Sequence, residues 1–236
     1  MTHKLQQLPL DLKFAPAMGR EDFVVSESNQ YAVHMIESWP QGWVPFPALT
    51  IYGPKGSGKS HLAAVWQSRS QARLMNAEDF RSCDVAALLE ARGNLVIDQM
   101  EHLIGERDQE EKLFHLYNGF KQAQLYLLGL CDKSPEQLPF VVQDLASRLR
   151  ASQSAEIKAP DDELLRRVLV KRFIDQNLDI GEDGINYILI RMERDWDVLD
   201  KLVNDIRLAA TAQKRADITI PLLRSVLADH SDSGED

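Results

Sequence analysis

The octapeptide GPKGSGKS at residues 53–60 constrains this 236-residue chain more than any other feature. It fits the pattern GxxxxGK[ST], follows the apolar run LTIY, and is itself followed by a helical pattern. Gly53, Gly56 and Gly58 allow left-handed backbone, so successive N–H groups can converge on an anion at the start of a helix. A glycine-rich turn without a ligand is the alternative. Strand, loop and helix together predict a phosphate-binding loop.

Five short β-rich runs, separated by helical patterns, predict a parallel α/β sheet. Their residues are nearly all apolar, which is typical of strands covered by helices on both faces. The runs are residues 49–53, 73–76, 95–98, 125–130 and 155–158.

The pattern changes after Pro160, where acidic residues mark a helix start and apolar residues recur at helical spacing. The last stripe begins after Thr219, a residue type that commonly caps helices. We therefore expect a small all-helical domain here. The predicted organisation is an N-terminal segment (residues 1–20), an α/β phosphate-binding domain (21–159), a helical domain (160–228) and an acidic tail (229–236).

Charge and cysteine content exclude several classes of protein. With 27 Lys and Arg against 36 Asp and Glu, the net charge of −9 disfavours a protein that coats nucleic acid. Two isolated cysteines support neither a disulfide framework nor a zinc site. The sequence shows no signal-peptide pattern and no long apolar run, so we expect a cytoplasmic protein without a membrane partner.

Residues in and near the loop predict how the site binds Mg²⁺ and whether it can activate a water for hydrolysis. Lys59 is placed to reach the β- and γ-phosphates, and Ser60 to bind Mg²⁺. Asp98 ends an apolar run and is a second Mg²⁺ ligand in this interpretation, although a strand-terminal Asp is more often a turn residue. Gln99 follows it, and an amide cannot accept a proton from an attacking water. We therefore expect nucleotide binding rather than fast hydrolysis.

A set of motifs spread over most of the chain carries a family resemblance. They are FVV (residues 23–25), SNQ (28–30), the loop through His61, LVIDQMEHL (95–103), LFHLYN (113–118), CDKSP (131–135), DLASRL (144–149) and TIPLL (219–223). Together they resemble the AAA+ ATPase module of the DnaA clan, and within it the Hda group of short DnaA-related regulators. The resemblance implies a P-loop α/β module with a five-stranded parallel sheet, followed by a helical lid.

The resemblance also implies roles for individual residues. Asp132 corresponds to the sensor-1 residue, and Arg148 to an arginine finger offered to a neighbouring ATPase; without the surrounding motif, Arg148 would be read as a solvated helix charge. The usual sensor-2 arginine aligns with Asp197, while Arg194 is offset by three residues. The implied contacts to ATP or ADP are Phe23, Val24, Val25, Gly53, Pro54, Lys55, Gly56, Ser57, Gly58, Lys59, Ser60 and His61.

The peptide QLPLDL at residues 7–12 resembles a sliding-clamp-binding motif. An extended segment can place alternate leucines in a groove while a glutamine supplies a directional hydrogen bond. An edge strand that docks on its own domain is the alternative. The implied clamp contacts are Gln7, Leu8, Leu10 and Leu12.

The implied function is regulation of replication initiation. The protein would hold adenine nucleotide, bind the DNA polymerase III sliding clamp (β subunit) and stimulate hydrolysis of DnaA-bound ATP, with weak or no ATPase activity of its own. It would contact DNA only indirectly, because no helix-turn-helix pattern follows the helical domain, and self-association into a homo-oligomer stays open. A DnaC-like helicase loader and a stand-alone nucleotide-dependent enzyme are the alternatives.

Overall fold

A parallel β-sheet forms the centre of the fold. The computed structural model describes residues 19–20, 23–213 and 217–231. Within these ranges five strands pair in the order β2–β3–β4–β1–β5, and every pair is parallel. The predicted five-stranded α/β fold is therefore confirmed. The strands are β1 (Ala48–Tyr52), β2 (Arg73–Asn76), β3 (Leu95–Asp98), β4 (Leu127–Cys131) and β5 (Gln153–Glu156).

Three strands differ in their limits from the prediction. β1 covers Ala48–Tyr52 and not residues 49–53, so it is shifted by one position. β4 begins two residues later than predicted, because Leu125 still closes the end of the preceding helix through a hydrogen bond to Phe120 O. β5 begins two residues earlier, at Gln153 and Ser154, which pair with β1. β5 is an edge strand, where polar residues are tolerated. Because its first two residues are polar, a search for apolar runs does not detect them.

Helices cover both faces of the sheet. Alternate strand side chains point to opposite faces, so Ile51 and Leu130 pack against one helical layer while Ile97 and Leu127 pack against the other. All four are buried. The helices of this domain are α1 (Gln30–Glu37), α2 (Lys59–Ser70), α3 (Ala77–Ser82), α4 (Val85–Glu90), α5 (Arg107–Ala123) and α6 (Gln143–Ala151).

A smaller helical unit follows the sheet domain. Asp161 starts its first helix as the sequence suggests, because its carboxylate accepts a hydrogen bond of 2.7 Å from the backbone N–H of Leu164. Its core is the set of apolar stripes that the sequence shows. The helices are α7 (Asp162–Asp175), α8 (Glu182–Leu189), α9 (Trp196–Ala212) and α10 (Ile220–Ser231).

Two short strands in this unit are absent from the sequence-based prediction. β6 (Asp179–Ile180) and β7 (Asp217–Ile218) form a parallel pair. Segments of two residues are too short for any periodic pattern, and the packing of the helices brings them together. Within the described residues, no helix has both the length and the apolar character that a membrane span requires.

A buried carboxylate fixes the position of α6. Glu110 on α5 is completely buried, and its oxygens accept hydrogen bonds from the backbone N–H groups of Gly105 at 2.7 Å, Val141 at 3.0 Å and Val142 at 2.7 Å. Val142 is the N-cap of α6, which has no side-chain cap of its own. Glu110 therefore caps α6 from a neighbouring helix, where a negative charge also favours the positive end of the helix dipole.

We expect Glu110→Ala to lower the free energy of unfolding by about 1–3 kcal/mol, because it leaves these N–H groups without their acceptor. Urea denaturation of the intact chain measures this change. Glu111→Ala is the matched control, since the interaction that the described residues give Glu111 is an exposed pair with Arg107 at 3.2 Å. Such a pair contributes about 0.5 kcal/mol or less. Equal effects of the two substitutions would contradict the capping role.

Candidate functional site

The carboxyl ends of the central strands meet at one edge of the sheet, and a cavity of about 330 Å³ opens there. The phosphate-loop sequence follows β1, Asp98 ends β3, and Asp132 follows β4. The helical unit closes the opposite side through α7 and α9. The predicted residues that line this cavity are Phe23, Val24, Lys55, Gly56, Ser57, Gly58, Lys59, Ser60, His61, Asp98 and Asp132.

The loop has the backbone shape that anion binding needs. Gly58 has φ +99° and is the N-cap of α2, so the first N–H groups of this helix face the loop and not a capping side chain. Gly53 has a positive φ, and a Cβ at that position would collide with the backbone oxygen of Ile157. The two glycines therefore fulfil conformational requirements that other residues would not meet.

Three oxygen atoms hold the Lys59 ammonium group at the mouth of the loop. Its Nζ donates to Gly53 O at 2.6 Å, to Pro54 O at 3.0 Å and to Asp132 Oδ1 at 3.0 Å. The Lys59 side chain is only 11% exposed, whereas that of Asp132 is 56% exposed. Gly53 and Pro54 thus act through their carbonyl groups and do not line the cavity. A negatively charged ligand would have to compete with Asp132 for the same ammonium group.

Asp98 and Ser60 face the cavity from β3 and α2. Asp98 accepts a hydrogen bond of 2.9 Å from the N–H of Gln99, which has left-handed backbone with φ 56°. Among the described residues, no three His, Cys, Asp or Glu side chains form a cluster that could hold a metal ion. One carboxylate and one hydroxyl still fit Mg²⁺, because this ion takes most of its remaining ligands from water and phosphate oxygens.

Glu101 is a cavity residue that the sequence analysis missed as a site residue. It lies in the short 3₁₀ turn Met100–Leu103, and its Oε2 is buried with no hydrogen-bond partner among residues 19–20, 23–213 and 217–231. Burial raises the pKa of this carboxyl, and the negative charge of Asp132 acts in the same direction, whereas Lys59 partly opposes both. The only sequence signal is an acid three positions after the strand-terminal Asp98.

The segment before α1 forms one wall of the cavity. Phe23 is buried and packs edge-on against the His61 ring, with 5.1 Å between ring centroids. Asn29 fixes the segment by donating to Val24 O at 3.0 Å. It also lines the cavity, whereas Val25 is 38% exposed and is not a lining residue.

The helical unit, which the resemblance implies to be a lid, contributes the opposite wall, but the residues that form this wall were not predicted. Trp196 begins α9, and its backbone N–H contacts Gly56 O at 3.4 Å. Arg194, the alternative sensor-2 residue, is instead paired with Asp162 at 2.9 Å on an exposed surface, and it does not line the cavity. The wall residues are Leu164, Val168, Arg172, Trp196 and Asp200.

Arg148 lies away from the cavity and is exposed on α6. Its guanidinium has no hydrogen-bond or ion-pair partner among the described residues, whereas Arg150 donates to Pro135 O at 3.3 Å and lies over the Phe140 ring at 5.5 Å. The two arginines thus differ: Arg150 is held within the subunit, and Arg148 is available to another molecule. The predicted clamp residues Gln7, Leu8, Leu10 and Leu12 lie outside the described residues.

Two relatives are similar in sequence to most of this chain. It is 27% identical over 189 residues to an uncharacterised protein of Haemophilus influenzae, covering 77% of this chain and 81% of that protein. It is 28% identical over 242 residues to the chromosomal replication initiator protein DnaA of Sphingopyxis alaskensis, covering 94% of this chain and 53% of that protein. The chain therefore spans about half the length of that initiator.

Solved structures show the same fold. Domain III of the Thermotoga maritima replication initiation protein DnaA superimposes with a TM-score of 0.75 at 21% identity, covering 91% of this chain and 97% of that one. AMPPCP-bound DnaA from Aquifex aeolicus gives a TM-score of 0.72 at 23% identity, covering 84% of this chain and 67% of that one. Residues 15–156, more than half of the chain, match the family described as the bacterial DnaA ATPase domain. With its parallel sheet and the loop around Lys59, this chain belongs to the bacterial DnaA ATPase domain family of AAA+ proteins.

Proposed function

We propose that this protein is an Hda-like regulator of chromosomal replication initiation, which stimulates hydrolysis of ATP bound to DnaA. The observation that carries this proposal is Arg148 on α6, which is exposed and has no partner in the part of the chain that the structure describes; the chain is of the DnaA ATPase family. A guanidinium offered to a neighbour's γ-phosphate stabilises the charge that develops during phosphoryl transfer. The product would be DnaA in its ADP form.

The cavity serves as a binding site for ADP or ATP in this proposal. Lys59 and the N–H groups at the start of α2 contact the phosphates, and the wall formed by Phe23 and Val24 contacts the adenine. Ser60 and Asp98 hold Mg²⁺, which would neutralise phosphate charge when bound. The structure of a DnaA relative with AMPPCP supports the choice of an adenine nucleotide.

Hydrolysis takes place mainly in the partner's site. Gln99 lines the cavity at the position where a second acid would activate water, and its amide cannot accept a proton. The protein's own pocket then acts chiefly as a nucleotide-dependent scaffold. The segment with Gln7 and Leu8 recruits the protein to the sliding clamp. Hydrolysis of DnaA-bound ATP is then stimulated only where a clamp is present on DNA.

We expect Asp132→Asn to strengthen ADP and ATP binding about two- to fivefold, because the partly exposed carboxylate no longer competes with phosphate for Lys59. Unlike the carboxylate, which only accepts hydrogen bonds, the asparagine amide can donate one to a phosphate oxygen. Titration calorimetry with Mg²⁺ present measures the change. Asp144→Asn, an exposed acid on α6, is the charge-matched control. A substantial loss of affinity in the Asp132 variant would show that the carboxylate is not a competitor.

We expect Arg148→Ala to reduce hydrolysis of DnaA-bound ATP to the rate of DnaA alone, because an arginine finger contributes about 10³-fold or more to kcat. The assay combines clamp-loaded DNA, the organism's DnaA and radiolabelled ATP. Arg148→Lys tests the need for a planar guanidinium, and Lys121→Ala removes one exposed positive charge elsewhere. If Arg148→Ala stimulates as well as the wild type does, the finger assignment is wrong.

We expect the double substitution Gln7→Ala with Leu8→Ala to weaken binding to the sliding clamp about tenfold or more, since both residues are anchors of the proposed peptide. Surface plasmon resonance with immobilised clamp measures the affinity. Thr2→Ala with His3→Ala provides a control outside the hexapeptide. Undiminished clamp binding would refute the assignment of this peptide as the clamp contact, and capture of the replicative helicase in preference to the clamp would favour the helicase-loader alternative.

A further inference from the structure

The wall that the helical unit presents to the nucleotide cavity is mainly apolar and aromatic. Leu164, Val168 and Trp196 form most of it, and Trp196 also packs partly against the core of that unit. The side chain of Trp196 is therefore fixed from one side and open to the cavity on the other. Trp39, Trp43 and Trp66 do not line this cavity, because they pack with one another on the sheet domain.

Trp196 lies beside the phosphate loop and beside the cavity wall formed by Phe23 and Val24. A Cβ placed on Gly58 would lie 3.5 Å from Trp196 Nε1 and also 3.5 Å from a ring carbon of Phe23. Both aromatic rings therefore flank the same point of the loop. A flat ligand group that enters next to Phe23 reaches the indole of Trp196 as well.

Among its described residues, this wall has no unpaired positive charge to offer a γ-phosphate. In the part of the helical unit that the structure describes, Arg172 is the one cation that lines the cavity. Its Nε lies 3.2 Å from Asp200 Oδ1, in an ion pair whose N–H is not aligned for a hydrogen bond. Asp195 adds a further carboxylate next to Gly56, where a Cβ would collide with it.

We propose that Trp196 is a nucleotide-binding residue that stacks on the nucleoside of bound ADP or ATP, and that the helical unit consequently does not distinguish the two nucleotides. This inference rests on the proposed nucleotide site. Stacking on a base or ribose does not depend on the number of phosphates, whereas a free cation at this wall would favour the triphosphate.

Binding of ADP and ATP to the full chain tests the proposal in five proteins: wild type and the variants Trp196→Ala, Trp196→Phe, Arg172→Ala and Arg194→Ala. We expect Trp196→Ala to lower the affinity for ADP and for ATP about tenfold, because an aromatic ring stacked on a base contributes about this much to binding. Trp196→Phe keeps a smaller ring and should lose less. Arg172→Ala should change both affinities equally, and Arg194→Ala, which lies outside the cavity, should change neither.

Tryptophan fluorescence gives a second measurement that does not depend on the stability of Trp196→Ala. ADP and ATP should change the emission of the wild type equally, and the change should be lost in Trp196→Phe. A change that persists in Trp196→Phe overturns the proposal. So does a loss of ATP affinity in Arg172→Ala that spares ADP.

Lys59→Ala separates failure of the inference from failure of the proposed site. If the wild type binds nucleotide in a Lys59-dependent manner but Trp196→Ala has wild-type affinity, the role of Trp196 alone is refuted. If neither the wild type nor Lys59→Ala binds nucleotide, the proposed nucleotide site is refuted, and the role of Trp196 is refuted as well.

Discussion

The parallel pairing of β1 between β4 and β5 is the constraint on which the rest of the structure depends. Parallel strands end at the same edge of a sheet, so three separate segments of the chain deliver their polar residues to one place. Lys59 from the loop after β1, Asp98 from β3 and Asp132 after β4 meet there. The ion pair between Lys59 and Asp132 crosses 73 positions of sequence and exists only because β1 and β4 are neighbours.

The two proposed roles, nucleotide binding and an arginine finger, make opposite demands on the positive charges of the protein. Lys59 is nearly buried and surrounded by oxygen atoms, as a group that retains an anion inside the subunit should be. Arg148 is exposed and unpartnered among the described residues, as a group intended for another molecule should be. Glu110 helps to position Arg148, because this buried carboxylate holds the N-terminus of α6 against α5.

The contact of the helical unit with the loop couples the two halves of the chain. Trp196 contacts Gly56 through its backbone and lies beside Gly58 through its indole ring. A ligand that enters between Phe23 and Trp196 would touch both halves at once. Nucleotide binding in the proposed site would therefore stabilise the position of the helical unit against the sheet domain. The stabilising contact would be aromatic, so it would be the same for ADP and ATP.

The sequence by itself determined the phosphate loop, the parallel α/β class and the helical stripes after Pro160, because these features depend on local spacing and apolar periodicity. It also marked Asp98, at the end of an apolar run. Only the tertiary structure decided that Glu101 and Trp196 line the cavity, since both sit in ordinary local patterns and acquire their surroundings from distant elements. The same holds for Arg172 and Asp200, which form an ion pair between α7 and α9. They are far apart in the sequence, so no spacing pattern predicts this pair.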